Sequence, residues 1–143
     1  MEGSSESLGL WLCTTARVYE QALSRELAPL GLTAQYFQVL VLLHPERGTS
    51  QAEITERLQM EPAPLAALLK RMERDGWIHR REDRGDRRKK IVEAMPKAQR
   101  VRERIRAVAE KLDAVAFTRL DRAEAAHVHQ ALTAVQENLG ERG

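Results

Sequence analysis

Between Lys70 and Lys90 the chain carries ten Lys or Arg residues against five acidic ones, a local charge of +5 in a chain whose formal total is +2. Cations at this density repel one another unless an anion stands nearby, so the chemistry open to the stretch is recognition of a polyanion. Its two halves differ. Turned at about 100° per residue, the segment that opens at Pro62 puts Leu65, Leu68, Leu69 and Met72 on one helical face. Ala63, Ala67, Lys70 and Arg74 form a narrow line on the other, small at its start and cationic at its end. Alanine methyls can pack against thymine methyls in a DNA major groove, and a lysine can reach a guanine edge or a phosphate. A plain solvated face fits the same line equally well. After Gly76, the segments Trp77-Ile78-His79-Arg80-Arg81-Glu82 and Lys90-Ile91-Val92-Glu93 alternate as two short strands of a β-hairpin. Arg84, Arg87, Arg88, Lys89 and Lys90 crowd its tip, and the lack of an Asn-Gly turn implies a longer, more mobile loop. Asp83 and Asp86 are expected to pair with neighbouring arginines and hold that loop.

The remaining elements must position this stretch. From Leu8 to Leu30 the residues Leu8, Leu12, Tyr19, Leu23, Leu27 and Leu30 recur at helical steps, and Pro29 and Gly31 mark the end of that helix. Thr33 can cap a second helix in which Phe37 and the run Val39 to Leu43 are apolar on nearly every side, as expected of a buried centre. Ser50-Gln51-Ala52-Glu53 is a capping box for a short third helix with Ile54 and Leu58 inward, and Pro62 suits the first turn of the fourth. A long helix begins at Pro96, with Val101, Ile105, Val108, Leu112 and Val115 as a heptad seam. After a break near Arg119 to Asp121, with Asp121 as cap, Val128, Leu132, Val135 and Leu139 form a second seam. Two narrow apolar seams call for helical partners, either within the chain or in a second copy.

Length and composition agree with one cooperative unit: 143 residues are enough for a real core. The start MEGSSES lacks a basic flank and apolar core and reads as a frayed tail, no apolar run approaches a membrane span, and the single cysteine excludes an intrachain disulfide. A cytoplasmic location without membrane contact is expected. No glycine-rich phosphate loop, serine elbow or Cys-His pairing argues for an enzyme or a cofactor. Glu124, His127 and His129 do not share one helical face, so no metal site is expected.

Taken in order, these residues resemble the MarR family of winged helix-turn-helix regulators. Leu32-Thr33 with Phe37, Val39 and Leu40 looks like the opening of that family's second helix, and Ser50-Gln51-Ala52-Glu53-Ile54 with Leu58 like its third. The run Leu68-Leu69-Lys70-Arg71-Met72-Glu73-Arg74-Asp75-Gly76-Trp77-Ile78 looks like the recognition helix entering the wing. Asp83, Asp86, Arg87 and Arg88 match the wing signature. Two stretches depart from the pattern: Glu93-Ala94-Met95-Pro96-Lys97-Ala98 after the wing, and Glu61-Pro62-Ala63-Pro64-Leu65-Ala66-Ala67, where the family often places serine and threonine.

The resemblance implies a mainly α fold with a small β-wing, formed as one MarR-like domain over residues 1–143. Within it a winged helix-turn-helix lobe spans 32–94, and a helical dimerisation region is formed by the N- and C-terminal helices, 7–30 and 96–140. It implies a homodimer that binds double-stranded DNA at a pseudo-palindromic operator as a repressor and is released by a small-molecule effector. Residues from Ala63 through Ala67 and Lys70 to Arg74 would then enter the major groove, Arg84 and Arg87 would reach the minor groove or its phosphates, and Arg88 with Asp86 would brace the wing. Trp11, Tyr19, Tyr36 and Phe37 are candidates for lining an effector cleft, although aromatics at helical spacing also serve as core. Cys13 is open to two readings, a small packed hydrophobe or the redox-sensing thiol of some relatives. A helical protein-interaction module, or a non-specific nucleic-acid-binding one, stands as the alternative, distinguished by binding that ignores DNA sequence.

Overall fold

A computed structural model describes residues 7–140. The expected frayed tail lies, apart from Ser7, outside the described residues. Ser7 itself caps helix α1 (Leu8–Leu27), its Oγ accepting the Leu10 N–H at 3.1 Å. A single 3-10 turn (Ala28–Leu30) containing Pro29 follows, and Gly31 takes a left-handed φ of 73° that reverses the chain. Thr33 caps α2 (Ala34–Leu40) as expected, accepting the Tyr36 N–H at 3.1 Å.

The second helix is shorter than its apolar run implies. It ends at Leu40; Phe37, Val39 and Leu43 are buried, but Val41 is half exposed. The run is apolar on every side because part of it leaves the helix, not because the helix is surrounded. The loop that follows is closed by its own polar groups: His44 Nδ1 accepts the N–H groups of Glu46 and Arg47, and the buried Thr49 hydroxyl accepts from His44 N and donates to Leu42 O, both at 2.9 Å. Gly48, at φ 71°, passes so near the sheet that a Cβ there would lie 2.7 Å from the Val92 carbonyl oxygen. Only glycine meets both demands.

That close approach exists because Thr49–Ser50 form a short strand, β1, which pairs antiparallel with the wing. Ser50 then caps α3 (Gln51–Leu58), its Oγ accepting the Glu53 N–H at 3.1 Å. Gln59 adopts φ 52° and its side-chain amide donates to Glu56 O at 2.8 Å, so the tight turn into α4 (Pro62–Arg74) is satisfied locally. In α4 the expected inner face is realised: Leu65, Leu68, Leu69 and Met72 are all essentially inaccessible. Each such side chain contributes about 1.5–3 kcal/mol of transfer free energy.

The exit from α4 is a Schellman motif: Gly76, at φ 84°, donates to Glu73 O at 3.1 Å, and Trp77 N–H donates to Met72 O at 3.0 Å. This turn delivers Trp77 to the core and starts β2 (Ile78–Glu82), one residue later than expected. It pairs antiparallel with β3 (Lys90–Ala94), from Ile78 opposite Ala94 to Glu82 opposite Lys90, and the sheet order is β1-β3-β2. The hairpin thus supplies the central strand and one edge of a three-stranded sheet whose buried Ile91 and Val92 complete the core.

The helix expected from Pro96 is broken in two. Val101 leaves helical geometry at φ −105°, ψ 6°, separating α5 (Pro96–Arg100) from α6 (Arg102–Ala116). Of the first seam, Ile105 and Leu112 are buried while Val115 is 66 % exposed. Asp121 caps α7 (Arg122–Gly140), its Oδ1 accepting the Glu124 N–H at 2.8 Å. The chain divides into two compact units inside α6, at Ala109/Glu110. The first holds α1, with Leu23 and Leu27 in its core, together with the winged lobe. In the second, α7 has no buried residue, and its seam of Val128, Leu132, Val135 and Leu139 is 36–68 % exposed. None of the helices among the described residues is long and apolar enough to cross a membrane.

Candidate nucleic-acid interface

Two elements present the cations. On α4 the line Ala63, Ala67, Lys70 and Arg74 is exposed along its whole length, with Arg71 beside it. The first turn is poor in donors: Pro62 and Pro64 have no N–H, and the N-cap Glu61 makes no side-chain capping bond. The exposed cationic donors of this helix therefore lie in its C-terminal half, at Lys70, Arg71 and Arg74.

The wing loop, residues 83–89, is held by three sets of bonds. Asp83 N–H donates to Lys89 O and Lys89 N–H to Asp86 O, each at 2.9 Å. Asp86 Oδ1 accepts from both the backbone N–H and Nε of Arg88, at 3.0 and 3.1 Å, and Oδ2 accepts from Arg88 Nη2 at 3.3 Å. These bonds from Arg88 hold the Asp86 carboxyl below its usual range. The pair joins the two residues assigned to bracing. Asp83 departs from expectation: its side chain pairs with no arginine among the described residues, and only its backbone secures the loop. Arg84 and Arg87 remain exposed at the tip, with no protein acceptor among the described residues.

Helix and wing are tied together by a contact that carries no sequence signal of its own. The Glu73 carboxylate accepts the Arg80 backbone N–H at 2.9 Å and its guanidinium at 3.3 Å, across the Schellman turn. The Arg80 backbone bond, followed by the guanidinium, lowers the Glu73 pKa. Further along the hairpin, Arg81 pairs with Glu93 at 2.8 Å and Lys90 with Glu82 at 3.7 Å. Much of the hairpin's positive charge is thereby neutralised along its strands and left free at its tip.

The end of α4 is fastened from two sides. Tyr36 OH donates to Asp75 Oδ2 at 2.8 Å, while Arg74 Nε donates to Asp75 Oδ1 at 3.2 Å. Lys97 Nζ donates to Asp75 O at 3.0 Å and lies 4.2 Å from the centre of the Trp77 ring. The Tyr36 hydrogen bond, then that of Arg74, lowers the Asp75 pKa; partial burial and the same bond raise that of Tyr36.

The aromatic residues considered for an effector cleft are dispersed. Phe37 is core, Tyr36 is engaged with Asp75, Tyr19 is half-buried on α1 and Trp11 is 55 % exposed. None of the four lines the apolar cavity of about 320 Å³ walled by Leu40, Val41, Leu43, Ala98 and Ile105, with Arg102 at its margin. Cys13 is exposed on α1 rather than packed as a small hydrophobe.

Residues 30–89, which contain the helix-turn-helix and most of the wing, match the sequence model of the MarR family. The HTH-type transcriptional regulator YwoH of Bacillus subtilis (strain 168) is 31 % identical over 91 residues, which cover 64 % of this chain and 66 % of YwoH. HTH-type transcriptional regulator TtmR of Methylorubrum extorquens (strain PA1) is 37 % identical over 87 residues, 58 % of this chain and 45 % of TtmR. The chain thus spans just under two thirds of one of these relatives and less than half of the other. The structure of MepR from S. aureus in complex with DNA superposes with a TM-score of 0.81 at 19 % identity, covering 94 % of this chain and 99 % of MepR. The matched lobe, with its winged helix and three-stranded sheet, thus carries the sequence pattern and fold of the MarR family of winged helix-turn-helix transcriptional regulators.

Proposed function

We propose that the chain is a sequence-specific DNA-binding regulator that acts as a homodimeric repressor on a pseudo-palindromic operator. The observation that carries this reading is the pairing of an exposed helical line, Ala63, Ala67, Lys70 and Arg74, with a braced wing that leaves Arg84 and Arg87 uncommitted. A helix of this width suits a major groove, and a hairpin tip carrying arginines suits the adjacent minor groove or its phosphates. The DNA-bound form of MepR supports the same use of the fold. The exposed seam of α7, with Leu8 and Trp11 exposed on α1, supports pairing with a second copy, which would place two lobes on two half-sites. The 320 Å³ cavity supports release by a small, largely apolar effector, and its volume lies within the range of ligand sites. Such a protein works in the cytoplasm as a regulator rather than a catalyst.

Titration against palindromic and scrambled duplexes at several salt concentrations tests the reading. Tight binding to the palindrome alone is expected, with affinity falling steeply as salt rises. Equal affinity for both duplexes would leave a non-specific nucleic-acid-binding or protein-interaction module in its place. Lys70→Ala should reduce affinity for the palindrome more than for scrambled DNA; a uniform loss would make Lys70 a phosphate contact.

A further inference from the structure

Arg74 differs from the other cations of the α4 line because its guanidinium is held by a neighbour. Asp75 Oδ1 takes Nε at 3.2 Å, and the Arg74 side chain nevertheless remains 70 % exposed. A guanidinium presents five N–H donors in a rigid fork. With Nε engaged, the two terminal nitrogens of this largely exposed side chain have no protein partner among the described residues. Two parallel donors at that edge match the O6 and N7 acceptors that guanine shows in the major groove. The carboxylate is itself fixed: its second oxygen accepts the Tyr36 hydroxyl at 2.8 Å, and Lys97 holds the Asp75 carbonyl at 3.0 Å. Asp75 therefore cannot swing away from Arg74 without breaking a bond to α2, a distant part of the chain.

We propose that Arg74 reads a guanine in each half-site through its two terminal nitrogens, with Asp75 orienting the guanidinium and Tyr36 acting as a positioning residue for Asp75. This rests on the DNA-binding reading above and adds to it the base and the residues that select it. The donor-poor start of α4 strengthens the case, since hydrogen-bonded base reading must come from this end of the helix.

The test begins with selection of bound duplexes from a random pool by the wild-type protein. Failure to obtain any consensus would overturn the DNA-binding reading itself. Given a consensus, each guanine is replaced in turn by 7-deazaguanine, which removes the N7 acceptor and leaves the pairing edge intact. At one position per half-site, wild type should lose about tenfold in affinity, and Arg74→Ala should lose the same amount on unmodified DNA yet show no further loss on the modified duplex. Tyr36→Phe keeps the ring and removes only the hydroxyl. It should lower the guanine-over-7-deazaguanine preference at that position by several-fold while leaving affinity for scrambled DNA and the thermal midpoint unchanged; Asp75→Asn should lower the same preference. The proposal is overturned if Arg74→Ala weakens all duplexes equally, as a phosphate contact would, or if Tyr36→Phe leaves the preference intact.

Discussion

Helices α4 and α7 carry apolar faces of similar regularity and put them to opposite ends. In α4 the four large residues of the face are all but inaccessible within one chain. In α7 every seam residue is at least 36 % exposed. Periodicity states that a face must be buried and says nothing about what buries it. The α4 face is completed by α2 and the first residues of β2, so that its opposite side is freed for contact and rigidly oriented. The α7 face is incomplete in a single chain, and a second copy is the occupant that the proposed two-fold operator requires.

The contrast can be broken most forcefully at α7. Leu132→Glu combined with Val135→Glu should convert a dimer to a folded monomer by sedimentation and lower affinity for a palindrome by about 100-fold or more, because two linked half-sites become independent. A dimer that persists would place the interface elsewhere. On α4 the matching change, Leu69→Ala, should cost about 2–5 kcal/mol of unfolding free energy and leave association of the folded protein untouched. A loss in chemical denaturation well under that range would mean that the α4 face is less completely packed than its burial implies.

Smaller effects sharpen the division between helix and wing. Arg84→Ala should leave the unfolding midpoint unchanged and reduce the slope of log affinity against log salt by about 1; an unchanged dissociation constant would remove the wing tip from the interface. The smallest effect concerns Glu73, which joins α4 to β2. The Arg80 backbone bond and guanidinium hold the Glu73 carboxyl below its usual range, so the contact stabilises the fold above the unfolded carboxyl's pKa and is lost as pH falls through the folded one. Glu73→Gln should therefore cost up to about 1 kcal/mol at neutral pH, the range for exposed ion pairs, and nothing near pH 2. A cost that persists in acid would show that packing, not charge, makes the contact.

Much of this architecture was legible because it is local chemistry. The caps at Thr33, Ser50 and Asp121, the proline at the head of α4, the inner face from Leu65 to Met72 and the glycine exit at Gly76 each depend on residues within a few positions of one another. A helix repeats every three or four residues, so its faces and ends are written in neighbouring letters. The sequence by itself thus determined which elements form, which side of α4 turns inward and where the cations gather.

Tertiary structure alone decided the rest. It added the strand Thr49–Ser50, broke the fifth helix at Val101 and stopped the second at Leu40. It assigned Tyr36 to Asp75, 39 positions away, left Asp83 out of the ion pairs and opened a cavity that none of the expected aromatics lines. These outcomes depend on which distant groups arrive beside one another, and no local period encodes that. The same reason separates Arg74 from Lys70: both lie on one helical line, but Arg74 Nε is held by its neighbour Asp75, and that carboxylate is itself fixed by Tyr36 from across the fold.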